Sequence, residues 1–214
     1  MSKFAIRMYD TYAQRYNTIC QKSDFQSPAI LYHKTKNYVS GSTILDVGIG
    51  TGECAKYFAQ DGFQVYGIDG SQSMLDICEN RNIATHLINH DLSTPEPFSF
   101  SDAIFDCAVS NCVFRYIPDF SHVLGEMTRV VKPGGIIAFT TTSAKNKDVV
   151  MDAKGNMVEC HLADKCVSDY LHHPSKTRLQ IAQSGARLCM HEEILSQQID
   201  TFTEYCHLYI IQNQ

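Results

Sequence analysis

Apolar positions change their period along this chain. Met8, Tyr9, Tyr12, Ala13 and Tyr16 recur at spacings of three and four, which predicts an amphipathic helix with an aromatic face over residues 4–17. Ser27 followed by Pro28 predicts an N-cap and a first helical position, launching a second helix to about Tyr38. From Thr43 onward, short apolar runs alternate with amphipathic ones. Strands are predicted at residues 43–47, 64–68, 86–90, 105–109 and 136–142. Helices are predicted at residues 54–60, after a Ser71 cap with Met74, Ile77 and Cys78 inward, and from Asp119 with Val123, Met127, Val130 and Val131 inward. Pro133-Gly134-Gly135 breaks the last of these, and a Pro-rich loop through Phe100 replaces a helix after the third strand. Strands alternating with helices over short loops imply an α/β, doubly wound, mostly parallel sheet covered on both faces.

Beyond residue 143 the pattern loosens. Residues 149–151 and 157–160 flank Asp152 to Asn156 as a hairpin would, and a helix is predicted from Ser175 to Gly185. Extended runs at residues 187–195 and 204–211 are close enough in sequence to pair antiparallel. The expected organisation is one domain over residues 1–214, with a helical lid at 1–40 and a substrate-side insertion at 143–175.

Composition narrows the function. A chain of 214 residues is long enough for one well-filled α/β domain. A formal charge of -5 and the lack of a long Lys/Arg cluster argue against nucleic acid, whose affinity rests on a basic surface. No apolar run reaches the length of a membrane span and the N-terminus lacks a signal-peptide core, so no membrane is expected and the cytoplasm is the expected compartment. The nine cysteines include no C-x-x-C pair; the reading is reduced thiols acting as small hydrophobes, with no metal centre, and binding of a soft metalloid as the alternative. Oligomeric state is not legible.

The chemistry gathers where the strands end. Residues 44–53 read Ile-Leu-Asp-Val-Gly-Ile-Gly-Thr-Gly-Glu, a buried strand running through Gly48, Ile49 and Gly50 into a helix. Glycine lets the backbone take unusual dihedrals and a ligand come close, and the free N–H groups of a new helix face whatever binds. Glu53 stands where a dinucleotide fingerprint has its third glycine, which counts against a nicotinamide cofactor. Asp46, inside the apolar strand, must find backbone or ligand partners to offset its desolvation. In an open parallel sheet the ligand lies beyond the C-terminal strand ends, which here carry Asp69, Gly70 and Ser71, then Asp91 and Leu92, then Ser110 and Asn111. An acid at Asp69 can accept both hydroxyls of a ribose in any adenosine cofactor. Asp91 either accepts from an adenine amine, with Leu92 against the ring, or caps its loop.

At these residues the sequence resembles class I S-adenosylmethionine-dependent methyltransferases, in particular the small-molecule type 11 group. The resemblance rests on Leu45-Asp46-Val47-Gly48-Ile49-Gly50-Thr51-Gly52, Gly67-Ile68-Asp69-Gly70-Ser71 with Met74-Leu75, His90-Asp91-Leu92, Phe105-Asp106-Cys107-Ala108-Val109 and Val131-Lys132-Pro133-Gly134-Gly135. The prelude Tyr9-Asp10-Thr11-Tyr12-Ala13-Gln14-Arg15-Tyr16-Asn17 looks like the helix that precedes this domain in that group, with Asn17 replacing its aspartate. Residues 9–142 are also similar to the Williams-Beuren-region methyltransferase-like proteins.

The resemblance implies a seven-stranded sheet in the order 3-2-1-4-5-7-6, the last strand antiparallel. It assigns Gly48 to Gly50 to the methionine part of S-adenosylmethionine, Asp69 to the ribose, Gly70, Ser71 and Met74 to the adenine side, and Asp91 with Leu92 to adenine. Ser110 and Asn111 would line the sulfonium end and Tyr16 would close over it. S-adenosylhomocysteine would be the product and a small molecule the acceptor. The amino-methylating branch carries N-P-P-Y after the fourth strand; Ser110-Asn111-Cys112-Val113 stands here instead, against adenine and glutamine-amide substrates. Tyr12, Tyr116 and His161 are the candidates on the substrate side, the two tyrosines as its wall and His161 as a base or, alternatively, a polar surface histidine. No general base stands out. The rival expectations are an NAD-dependent oxidoreductase and a module that binds the cofactor without turnover.

Overall fold

The computed structural model describes residues 3–146, 160–162, 165–167, 170–199 and 202–214. Its seven-stranded sheet comprises β1 (Thr43–Val47), β2 (Gln64–Asp69), β3 (His86–Asn89), β4 (Phe105–Ser110), β5 (Val131–Thr142), β8 (Arg187–Ile199) and β9 (Phe202–Gln212), in the order β3-β2-β1-β4-β5-β9-β8. The first five strands run parallel, and β9 is antiparallel to both of its neighbours. A short hairpin of β6 (Cys160–Leu162) and β7 (Lys165–Val167) stands apart. The strand order reverses between β1 and β4, where a crevice opens at the C-terminal ends.

Helices cover both faces. On one side α5 (Ser121–Val130) and α6 (Pro174–Gln183) join a core of Phe105, Phe114, Phe120, Met127, Phe139, Ile181 and Tyr209. On the other, α2 (Ser27–Thr35) and α3 (Ala55–Gln60) pack Leu31, Tyr32, Ala55 and Phe58 against Ile44, Val65, Cys107 and Ile210. Both faces of β1 and β4 are buried, which explains their continuous apolar runs. The remaining two helices, α1 (Lys3–Lys22) and α4 (Gln72–Asn80), pack on each other beside the crevice. Five of the described cysteines are buried free thiols, as small hydrophobes are.

Three local expectations change. Ser27 is not the N-cap of α2: Gln26 holds that position, and the Ser27 hydroxyl turns inward to the loop after β4. Pro133-Gly134-Gly135 does not end α5, which stops at Val130; β5 begins at Val131 and the glycines sit in an irregular start of the strand. His172-His173 before Pro174 reads in sequence as a solvated turn, yet His172 is 2% exposed, because Phe114 offers it a carbonyl 2.9 Å from Nε2 and Phe120 an aromatic face. The hairpin expected around residues 152–156 falls outside the described residues.

Candidate functional site

The β1 turn is built by folding back on β2. Gly48 and Ile49 donate their N–H groups to the Ile68 carbonyl at 2.8 and 3.0 Å, which needs the left-handed backbone of Gly48 (φ 80°). Gly50 (φ 53°) has nothing within 4 Å of the place a Cβ would take, so the turn presents bare backbone to the crevice. Glu53, which stands where a dinucleotide fingerprint has its third glycine, has a tying role instead: its two carboxylate oxygens accept from Arg81 Nη1 at 2.7 Å and Lys56 Nζ at 2.6 Å, joining the turn to the end of α4.

Asp69 ends β2 with its side chain buried. It accepts from Gly50 N at 2.9 Å and Ser71 N at 2.8 Å, so one carboxylate fixes both loops. Burial, with Asp10 nearby, nonetheless raises its pKa to about 6. Asp46, beneath the turn at 1% exposure, is driven further by burial and by Asp69, to about 8, and its Oδ2 finds no partner. It is therefore a neutral acid at pH 7. Because the folded state raises its pKa above the unfolded value, folding takes up a proton, and Asp46 makes stability fall as pH rises from about 4 to about 8. Asp46→Asn should flatten that part of a melting-temperature profile; an unchanged slope would show that Asp46 is ionised in the fold.

One cleft gathers Tyr9, Tyr16, Gly48, Gly50, Asp69, Met74, Asn111, Cys112, Val113 and Tyr116. Tyr16, Gly48, Gly50, Asp69, Met74, Asn111 and Tyr116 belong to the set read from the sequence. Ile49 instead packs on Gly67. Leu92 lies in the core at 2% exposure, and Asp91 accepts from the Ser93 backbone and hydroxyl. Ser110 donates to the Val47 carbonyl, linking β4 to β1. Gly70 lies under Ile6, and Ser71 caps α4 while donating to Asp10 at 2.6 Å. Tyr12 packs with Ala5, Met8 and Tyr116, outside the cleft lining. The His161 side chain lies outside the described residues.

The sequence reading missed Tyr9, Cys112 and Val113. Tyr9 stands two helical turns before Tyr16, a spacing that puts both on one face, and its hydroxyl lies 2.9 Å from that of Tyr116. Cys112 follows Asn111 in a left-handed backbone (φ 58°), a strained conformation for a residue with a Cβ. Burial raises the Tyr16 phenol and the Cys112 thiol, so both stay protonated near neutrality.

Residues 45–139 match the model of a methyltransferase domain. Over 131 residues the chain is 33% identical to malonyl-acyl-carrier-protein O-methyltransferase of Pseudescherichia vulneris, covering 61% of this chain and 47% of that protein. Ubiquinone biosynthesis O-methyltransferase of Coxiella burnetii is 28% identical over 153 residues, covering 70% and 65%. The fold agrees with that of a chain in the complex between the Haloferax volcanii Trm112 methyltransferase activator and a methyltransferase, with TM-score 0.72, 16% identity and 96% of each chain covered. Residues 45–139 thus resemble a methyltransferase domain in sequence, and they lie within a sheet of the order β3-β2-β1-β4-β5-β9-β8.

The glycine turn, Asp69 and Asn111 all fall inside that matched segment, while Tyr9 and Tyr16 reach the cleft from α1. The chain spans about half the length of the curated malonyl-type relatives it matches. A cyclase, SpnF, shares the architecture at TM-score 0.74 and 16% identity, so the fold by itself does not fix the chemistry.

Proposed function

We propose that this chain transfers the methyl group of S-adenosylmethionine to a small-molecule acceptor. The observation that carries the reading is the convergence of the bare Gly48–Gly50 backbone, the buried Asp69 carboxylate and Asn111 on one cleft. These residues fit the cofactor chemically. Open space at Gly50 admits a close-lying ligand, Asp69 can accept from ribose hydroxyls, and the orphaned Asp46 oxygen is a buried polar atom beneath the same turn. When bound, the cofactor supplies a methyl group already activated on sulfur.

The rest falls to the protein, whose contribution is alignment of the acceptor and exclusion of water. Tyr9, Tyr16 and Tyr116 roof the cleft with aromatic surface, suited to a sulfonium cation. The names of the curated relatives, methyltransferases of ubiquinone biosynthesis and of a malonyl carrier, support an acceptor that is not a nucleic acid. Within the type 11 group we align the chain with the Williams-Beuren-region methyltransferase-like proteins on residues 9–142.

We assign the lid function to α1. It is latched by Asp10 on the Ser71 hydroxyl (2.6 Å) and Ser73 N (3.3 Å), by Asn17 on Thr51 (2.6 Å) and by Tyr9 on Tyr116. The cleft beneath it measures about 50 Å³ and takes two of its lining residues, Tyr9 and Tyr16, from α1, so α1 is the element placed to gate entry. Loosening the latch in Asp10→Ala, by roughly 0.5–1.5 kcal/mol for a hydrogen bond, should speed S-adenosylhomocysteine association several-fold in stopped flow; a slower or unchanged rate would remove α1 from the entry path.

The activity itself is tested by incubating the protein with methyl-labelled S-adenosylmethionine and a small-metabolite extract. The expected result is label in a low-molecular-weight product. Cofactor binding with no labelled product would favour a non-catalytic module.

A further inference from the structure

The hydroxyl of Ser27 points away from its own helix. Ser27 is the first residue of α2 and is fully buried, yet the cap position belongs to Gln26. Alanine there would form helix more readily and would bury no polar atom, since a buried hydroxyl costs free energy unless it is hydrogen-bonded. The Ser27 hydroxyl crosses to the loop after β4, where it accepts from Asn111 Nδ2 at 3.1 Å and lies 3.6 Å from Cys112 Sγ.

Asn111 is thereby held at both ends of its carboxamide. Its Nδ2 meets Ser27, and its Oδ1 lies 3.4 Å from Thr140 Oγ1, a hydroxyl that already accepts from Cys112 N at 2.8 Å. The two contacts are unequal. The longer one is at the outer limit of a hydrogen bond, so Ser27 supplies the firmer hold. A side-chain amide turns easily about its last torsion, whose minima are broad and roughly two-fold, and each half-turn exchanges its donor with its acceptor. With Nδ2 fixed on Ser27, the second N–H and the remaining lone pair of Oδ1 keep constant places.

The support behind this hold is fixed to the sheet. Gln26 N donates to the Ser196 carbonyl at 2.8 Å, joining the start of α2 to β8, and Leu31 and Tyr32 pack the helix on the sheet face. Asn111 lines the cleft beside Gly48 and Cys112, whereas Ser27 is not among the lining residues. We propose that Ser27 is a positioning residue for methyl transfer: from outside the cleft it fixes the orientation of the Asn111 carboxamide, and Asn111 so held sets the acceptor's reacting atom in line with the methyl group. In-line displacement is sensitive to such placement, since a misalignment of about 1 Å costs on the order of a hundredfold in rate. This inference rests on the methyltransferase reading and deepens it, assigning α2 to alignment where α1 gates entry.

Two measurements on the full chain test it. The first is the NMR spectrum of the Asn111 side-chain amide protons in the chain loaded with S-adenosylhomocysteine, assigned by their loss in Asn111→Ala. In Ser27→Ala both signals should shift and exchange with solvent roughly fivefold to tenfold faster, as loss of one hydrogen bond predicts. The second is the initial rate of transfer from methyl-labelled S-adenosylmethionine into the small-metabolite extract. Ser27→Ala should slow transfer roughly tenfold to hundredfold. Its S-adenosylhomocysteine affinity, which also verifies the fold, should stay within about threefold, less than one hydrogen bond is worth. Because Ser27 acts through Asn111, the double variant Ser27→Ala, Asn111→Ala should be no slower than Asn111→Ala alone. Unchanged transfer in Ser27→Ala, an amide spectrum that does not move, equal losses of transfer and of homocysteine-compound affinity, or additive losses in the double variant would each overturn the proposal and leave Ser27 a structural staple. Absence of label with the unaltered chain would instead refute the methyltransferase reading, with the amide spectrum still showing whether Ser27 holds Asn111.

Discussion

Alanine at Gly48 is expected to lower stability by about 2–5 kcal/mol, from left-handed strain and overpacking together, and to abolish cofactor binding. Gly48 sits at φ 80°, and a Cβ there would lie 2.3 Å from Val113 Cγ2, inside the packed junction of the β1 and β4 loops. Val113 is itself 5% exposed and lines the cleft, so it can yield only by entering the ligand's space. Gly50 provides the control: its φ is 53°, but nothing lies near its absent Cβ. Gly50→Ala should therefore show only the backbone strain, about 1–2 kcal/mol. Urea denaturation of the two variants separates them. Equal losses would mean that close packing at Val113 does not constrain the turn.

Asp69→Ala should weaken S-adenosylhomocysteine binding by about 1.5–3 kcal/mol, the worth of a hydrogen bond to a charged group, or roughly ten- to hundredfold. The pH dependence gives a second readout. Asp69 is held at about 6 in the fold, chiefly by burial, with Asp10 adding to it. On the proposed function the ionised carboxylate would accept from ribose hydroxyls, so affinity should be full above pH 6 and fall as pH drops through about 6. Asp69→Asn keeps the shape without the titration, and its weaker binding should be flat across that range. A wild-type affinity independent of pH from 5 to 8 would detach Asp69 from the ligand.

The strand order and the glycine turn were legible because they are written locally. Each strand of the parallel sheet is a short apolar run punctuated by glycine, aspartate or serine, and the closing pair β8 and β9 lie next to each other in sequence. Asp69 was legible for the same reason: it is the first acid after an apolar strand. What escaped depends on distant partners. Ser27 reads as a cap by its neighbour Pro28, yet Asn111, 84 residues away, takes its hydroxyl. His172 reads as exposed beside His173 and Pro174, yet the Phe114 carbonyl draws it inside.

Leu92 follows an aspartate in a loop, a position that suits a ligand contact, but its apolar side chain gains more from the core with Phe98 and Val113. Arg115 and Glu204 form a buried ion pair, yet they are 89 residues apart and neither falls in a motif, so no periodicity could join them. The same physics runs through these cases. Burial of a polar group is settled by whether tertiary structure offers it a partner, and local pattern carries no record of that.

The proposed methyl transfer requires that the crevice between β1 and β4 bind S-adenosylmethionine. Isothermal titration of the full chain with S-adenosylhomocysteine, and separately with NAD, measures this most directly. The expected result is saturable one-to-one binding of S-adenosylhomocysteine, weakened in Asp69→Ala, with no heat from NAD. Binding of NAD with none of the sulfur compound would contradict it.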